Sequence, residues 1–473
     1  MIKYLIYAVI FLTAININAQ TLIATSNHPE ATANHNQRKI VRDSSDNIYI
    51  VFVDTSNQEN IIKGVMYDSI TGQWNNASYI IDGNNPTLSI GENDQIHLVF
   101  ESNDSITKIR HISSFDFSNW TSGIVISDTT IKSEHPVADI DSSGNLNVFW
   151  VQNNDSLNES LIYAYINGDT LVDIKQITTK DEINDIAIAN HLQYVKNDLF
   201  FAIQFEQDSL QFFISTDNMN TYDTIYSIIG SQPCITFNSP WENYPNDNLF
   251  RFLYIDQNSQ LIEVGADPND YSIIYQNQIS TGLIDYVCID DVVPPIGYSY
   301  LFMQNGNLYH GFSYDCVPPV NWNTILDTIS GNIIHPSIAY KHFNFEYVDF
   351  IWMENNGNGY NIYYKRDEKH IWVSVIDNEQ GKGFSIVGYP NPFTEQLSIN
   401  VSVENKKVLP IIQIYNSNSQ LVKILHAEHS SANEFSYKWY GTNQNGEKVN
   451  SGIYIIMCSV GNTKTARKVV YIK

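Results

Sequence analysis

His135-Pro136 and His335-Pro336 lie 200 residues apart, and each opens an apolar/polar alternation that ends in a tryptophan, Trp150 or Trp352. An imidazole at the start of a strand that lines a channel can hydrogen-bond a ligand or hold a metal. An exposed indole at the end of the next strand can stack on a sugar ring. The structural alternatives are plain: each histidine caps a turn, and each tryptophan fills core. Three oxygen-rich stretches, Asp43-Ser-Ser-Asp46-Asn47, Asp290-Asp291 and Asn355 to Gly359, have the ligand types calcium prefers. None has the full spacing of a calcium loop, and each also reads as a turn in which Asp or Asn side chains bond nearby backbone. No cofactor is otherwise indicated.

The elements that must position these residues are short strands. Pro136 to Trp150 reads as a hairpin turning at Asp141-Ser-Ser-Gly-Asn145. The phrase returns at Pro86 to Phe100 with the same spacing and at Pro336 to Trp352 with two more residues. Looser copies start at Arg38, Ile186, Pro233 and about Asp285. Each copy continues into a third strand rich in tyrosine and a fourth opened by an aromatic: Trp74, Trp120, Tyr222, Trp322 or Trp372. A period near fifty with four strands per unit predicts an all-β chain, a seven-bladed β-propeller over residues 21–378. Aromatics are 13% and charged residues 16%, and no helical periodicity appears, which agrees.

The net charge is −25. It is concentrated: residues 21–378 hold 15 Lys and Arg against 45 Asp and Glu, whereas residues 379–473 hold 10 against 6. A large polyanion repels nucleic acid, which is excluded as a partner. Residues 1–19, with Lys3 before an apolar run and Asn18-Ala19 before Gln20, read as a signal peptide, and no transmembrane segment is expected elsewhere. The four cysteines, Cys234, Cys288, Cys316 and Cys458, have no zinc-like spacing and permit at most one disulfide in the large domain.

Ser215-Thr-Asp217-Asn-Met219-Asn-Thr221-Tyr222 resembles the Asp-box of sialidase-type propellers, with methionine for glycine and tyrosine for tryptophan. Asp116 to Trp120 and Asp68 to Trp74 are fainter relatives. The resemblance implies a folding element, an Asp that accepts backbone N–H groups between third and fourth strands. Sialidase activity would also imply three arginines on the substrate carboxylate. The large domain holds only Arg38, Arg42, Arg110, Arg251 and Arg366, so that activity is not expected.

Residues 379–388 read as a linker. After them come Tyr389-Pro390-Asn391-Pro392-Phe393, Leu397 to Val401, Ile414-Tyr-Asn416, Leu421-Val422, Trp439 to Gly446, Ser451-Gly452-Ile-Tyr454 and Lys468-Val469. In that order they resemble the type A C-terminal sorting domain of the type IX secretion system, with Ser419 where the family has glycine. The alternations Leu397/Ile399/Val401, Ile412/Ile414 and Ile453/Ile455/Met457, with the Asn445-Gly446 turn, predict a small Ig-like β-sandwich over 389–473. The resemblance implies that the type IX machinery reads this domain as its partner. The protein would then be secreted or placed on the outer-membrane surface after signal-peptide export to the periplasm. Asp-Ser/Thr pairs with acceptors Ser69, Ser105, Thr129, Ser156, Thr170, Ser209, Thr224 and Thr328 are similar to the O-glycosylation sites of bacteria that use this route, and equally fit capped turns before strands.

These features predict a propeller that binds a glycan or surface-protein ligand without catalysis. The alternatives are a glycan-active hydrolase or lyase, or a structural adhesin component. A catalytic site would show two carboxylates, or a Tyr/His pair, buried together at one end of the ring.

Overall fold

The computed structural model describes residues 20–91, 93–141, 143–154, 158–180, 182–190, 198–237, 250–267, 270–280, 282–290, 297–314, 322–339, 347–368, 384–389, 393–403, 410–416, 421–427, 429–430, 434–450, 452–460, 463–471 and 473. The signal-peptide stretch, Cys316, Trp372, Pro390, Asn391 and Pro392 lie outside them. The chain divides into two compact units, residues 1–369 and 370–473.

Unit one is a ring of seven antiparallel four-stranded blades. The inner strands are Ile40–Arg42, Asn84–Ile90, Ser133–Ile140, Ile183–Asn190, the second half of Asp223–Phe237, Ile284–Ile289 and Ile333–Ile338, for blades 1 to 7. The hairpin read at Pro136 to Trp150 has the register Val137↔Phe149, Ala138↔Val148 and Ile140↔Leu146. Asp223–Phe237 is shared, pairing with Ser209–Ser215 through its first half and Phe250–Asp256 through its second, so blades 4 and 5 form one continuous sheet.

Blade 7 departs from the expected repeat. Its outer strand is supplied from early in the chain, where Thr21–Ser26 pairs antiparallel with Tyr360–Glu368, and Trp372, expected to open that strand, lies outside the described residues. This clasp closes the ring and covers an edge that would otherwise offer unpaired backbone groups.

Blades pack face to face because strands buried on both sides alternate two apolar sets. Phe149, Phe201, Tyr163, Phe213 and Met219 fill the gap between blades 3 and 4, and Trp150, Val99, Val148 and Ala138 that between blades 2 and 3. The Asp-box is intact despite its substitutions. Asp217 accepts the Thr221 N–H at 2.8 Å, Met219 takes the glycine-like φ of +62°, and Tyr222 packs edge-on against Phe201 and Phe213. Asp116 does the same for Ser118 and Asn119, and Asp68 for Ile70 and Thr71.

Unit two is a two-sheet sandwich. One sheet orders Phe384–Tyr389, Leu397–Val403, Glu434–Trp439 and His429–Ser430; the other orders Leu421–Leu425, Ile411–Asn416, Gly452–Val460 and Thr463–Tyr471. A strand therefore begins at Phe384, inside the stretch expected to be linker, because Phe384 to Tyr389 pairs with Ser398 to Val403. Phe393, Leu397, Ile399, Val401, Trp439 and Tyr471 share one core. On Gly452–Val460 the buried face is Tyr454/Ile456/Cys458, the opposite set to the Ile453/Ile455/Met457 expected. With a side-chain period of two, choosing the wrong apolar alternate inverts the whole strand. Gly446 turns with φ +85° beside an Asn443 carboxamide that accepts two N–H groups.

Candidate functional site

The inner strands of blades 2, 3, 5 and 7 share a backbone device. Asn85, His135, Gln232 and His335 each precede a proline, and each takes a left-handed φ of +45° to +56°. Proline disfavours ordinary helical backbone in the residue before it, and each residue falls at a register shift in its strand. The left-handed conformation is costly for a residue with a Cβ other than Asn or Asp.

Two of the four side chains are consumed structurally. Asn85 donates to Glu101 at 2.8 Å and accepts from Asn34 at 3.1 Å; Gln232 donates to the Asp285 carbonyl at 2.9 Å and accepts from the Val287 N–H at 3.2 Å. Neither imidazole forms a hydrogen bond or ion pair with the described residues. Both line one pocket of about 470 Å³.

That pocket sits where the inner strands start. Its walls come from His135 and Val137 of blade 3, Ile183 to Ile186 of blade 4, Gln232 of blade 5, Tyr286 of blade 6 and His335 of blade 7. Val151, Gln204 and Ser231 complete the blade side, and the remainder is a strap, residues 27–39, that runs on from the clasp and crosses the starts of the inner strands. Thr32 Oγ1 donates to the His335 carbonyl at 2.7 Å. Asn36 Nδ2 donates to Asp185 at 3.2 Å and the Pro233 carbonyl at 2.9 Å. Arg38 donates to the Ala138 and Ile188 carbonyls at 2.9 and 3.0 Å. The strap thus touches blades 3, 4, 5 and 7.

Within the pocket wall His35 Nε2 lies 3.1 Å from Asp185, and its ring meets Tyr286 edge-on at 5.6 Å. The Tyr286 hydroxyl is sealed from solvent with no hydrogen-bond partner among the described residues, and burial pushes its phenol well above the ordinary range. Burial likewise lowers the His335 imidazole, which stays neutral at pH 7.

The structure separates the residues singled out from sequence. His135 and His335 are brought to one pocket, from blades that are not neighbours. Trp150 and Trp352 are not there: both are 0% exposed, so neither presents a face to a sugar. Trp352 packs with Phe350 and Tyr363 and donates to Glu354 at 2.9 Å. Their alternation directs them between blades rather than to the rim. The strap residues Glu30, His35 and Asn36 were missed, because no repeat spacing marks a segment that belongs to no blade.

The oxygen-rich loops are turns. Asp43 spends both carboxylate oxygens on the Ser45 and Asn47 N–H groups, the Asn47 side chain and the Tyr49 hydroxyl. Asp290 accepts from Ser299, Asn355 and Asn356 accept from nearby N–H groups, and Asp291 lies outside the described residues. Among the described residues no three His, Cys, Asp or Glu side chains are placed to hold a metal.

The five arginines do not converge. Arg42 and Arg366 both meet Asp349, Arg251 faces Glu263 and Tyr275, Arg110 lies in a third strand, and only Arg38 reaches the channel. In the tail, Phe393 and Tyr454 are buried core, Gly446 and Gly452 are exposed, and Tyr389 ends the sandwich's first strand.

Residues 388–473 match the family described as the secretion system C-terminal sorting domain. The chain carries a type IX sorting domain. The sorting domain marks the protein as secreted or held at the outer-membrane surface, and no helix among the described residues is long and apolar enough to cross a membrane. No curated protein matches the chain in sequence.

Solved structures are similar in fold. One is a polysaccharide lyase, an ulvan lyase bound to -[GlcA(1-4)Rha3S]-, with TM-score 0.51, 10% identity, and coverage of 73% of this chain and 95% of that one. A Hadza microbial sialidase has TM-score 0.40 and 10% identity, covering 66% and 73%. PorZ, a surface component of the type IX secretion system of Porphyromonas gingivalis, has TM-score 0.40 and 13% identity, covering 93% and 60%. For the ulvan lyase, at 10% identity, the likeness is one of fold alone.

Proposed function

We propose that this is an exported protein whose propeller binds a glycan in the channel-mouth pocket without cleaving it. The observation that carries the reading is the pair of imidazoles, each in a left-handed backbone and without a hydrogen bond or ion pair to the described residues, facing one pocket from blades 3 and 7. Asn85 and Gln232 hold the same backbone with their side chains bonded, whereas His135 and His335 hold it with the ring left free, and that difference supports a binding role for the two histidines. A pocket of this size suits one or two sugar rings.

A hydrolase or lyase is the second reading, and one observation favours it: His35 beside Asp185 is an imidazole oriented by a carboxylate, next to a tyrosine. Three features weigh against it. The Tyr286 hydroxyl is sealed and its phenol held protonated, so it cannot take a proton from a bound substrate. Asp185 is already shared among His35, Asn36 and the Ile186 N–H, which leaves Glu30 as the one uncommitted carboxylate in the described lining. Glycosidic cleavage by paired carboxylates needs two.

Screening the full-length exported protein on a glycan array, then incubating each hit and looking for product by mass spectrometry, tests both. Binding without turnover supports recognition, turnover establishes the second reading, and no glycan binding overturns both.

A further inference from the structure

The charge lining the pocket selects its ligand. Among the described lining residues none is lysine or arginine, while Glu30 and Asp185 are carboxylates. Two cations do end the strap, and both are committed. Arg38 spends its guanidinium on the Ala138 and Ile188 carbonyls and on Asp139 at 3.3 Å. Lys39 donates to Gln37 at 3.0 Å and to the Pro86 carbonyl at 2.6 Å, and burial lowers its ammonium to about 7. Neither can turn to a ligand without leaving a buried carbonyl unpaired.

Among the described lining, the groups that remain free and reach solvent are the His135 and His335 rings, the Asn184 and Ser231 side chains and the exposed Glu30 carboxylate, while Gln37 Nε2 and the Tyr286 hydroxyl are unpaired but sealed. A neutral imidazole offers one donor and one acceptor, and a carboxylate only acceptors. A hydroxyl, which both donates and accepts, satisfies every member of that set. A sulfate or carboxylate brings acceptors alone, faces Glu30 and Asp185, and would lose its hydration without a paired cation, which is costly.

We infer that the pocket takes an uncharged, hydroxyl-bearing saccharide, read by His135 and His335 from opposite walls and by Glu30 from the strap. This rests on the reading of the pocket as a glycan site. Position 85 supplies a control inside the molecule: blade 2 makes the same left-handed turn with Asn, a residue that adopts it with less strain. Copying that choice into His135→Asn and His335→Asn removes the ring and relieves the backbone.

The test compares neutral, sialylated, uronate-bearing and sulfated glycans on one array with the full chain and both variants, and follows thermal melting of each. The expected result is binding confined to neutral glycans, weakened about tenfold by either substitution, with a melting temperature unchanged or raised. Binding of anionic glycans with neutral ones ignored leaves the glycan reading standing and overturns the inference. Neutral binding unaffected by both substitutions overturns the assignment of the two histidines, and so does a fall in melting temperature, since the rings would then be structural. No binding to any glycan overturns the reading and the inference together.

Discussion

Two histidines of one sequence context and two tryptophans of another were equally visible as candidates, and only their surroundings part them. Trp150 and Trp352 are fully buried. Trp150→Ala or Trp352→Ala is expected to cost about 3–5 kcal/mol of stability, read as a shift of the urea midpoint, whatever its effect on ligand binding. A second histidine pair carries a pH effect. His97 and His111 stack with Nδ1 and Nε2 2.9 Å apart at the face of blade 2, near Asp169. Burial lowers them to about 3 and about 4, so the unfolded chain binds protons that the folded one refuses. Stability is full above the ordinary imidazole pKa and falls as pH drops through about 6.5 toward 4. Between pH 7.5 and pH 5 each of the two imidazoles, protonated in the unfolded chain but not in the folded one, costs roughly 2 kcal/mol. Urea titrations at the two pH values check this, and His97→Asn with His111→Gln should flatten the difference.

At the scale of elements, the repeat was legible because strand alternation and turn chemistry recur. Proline at four inner strands and Asp at the turns supplied the period, and all seven anchors, Arg38 to Pro336, fall in or beside inner strands. The Asp-box turns show why degenerate copies still work: the carboxylate matters, and methionine tolerates the glycine position because Met219 is buried among aromatics. Asp217→Ala should lower the melting temperature by about 2–4 °C, measured by calorimetry. Backbone and side-chain donors hold the Asp116 carboxyl at about 2, so its share of stability is present above the ordinary carboxylate range and is lost as pH falls from about 4 toward 2. Asp116→Asn should lose that acid dependence. The buried face of Gly452–Val460 was not legible, because every residue from Ile453 to Cys458 is apolar and alternation has nothing to alternate with.

At the scale of the molecule, the clasp and the strap were illegible for one reason: residues 21–37 repeat nothing, and their partners lie more than three hundred residues away in part. The site inherits that dependence. Deleting Thr21–Ser26 should expose the edge of Tyr360–Glu368, unseat the strap, and yield a protein that self-associates, visible as higher-order species in size-exclusion chromatography with light scattering.

The clasp also bears on force. A protein pulled from its C-terminal side is loaded through Tyr360–Glu368, the last strand of the ring, which is gripped along its whole length by Tyr347–Asn355 on one side and over Tyr360 to Tyr364 by Thr21–Ser26 on the other. Tension along the strand loads both ladders in shear, so their hydrogen bonds share the load instead of opening one after another. Without the clasp one ladder bears it alone. The strand that shuts the ring is thus also a mechanical fastener for the ring's last strand.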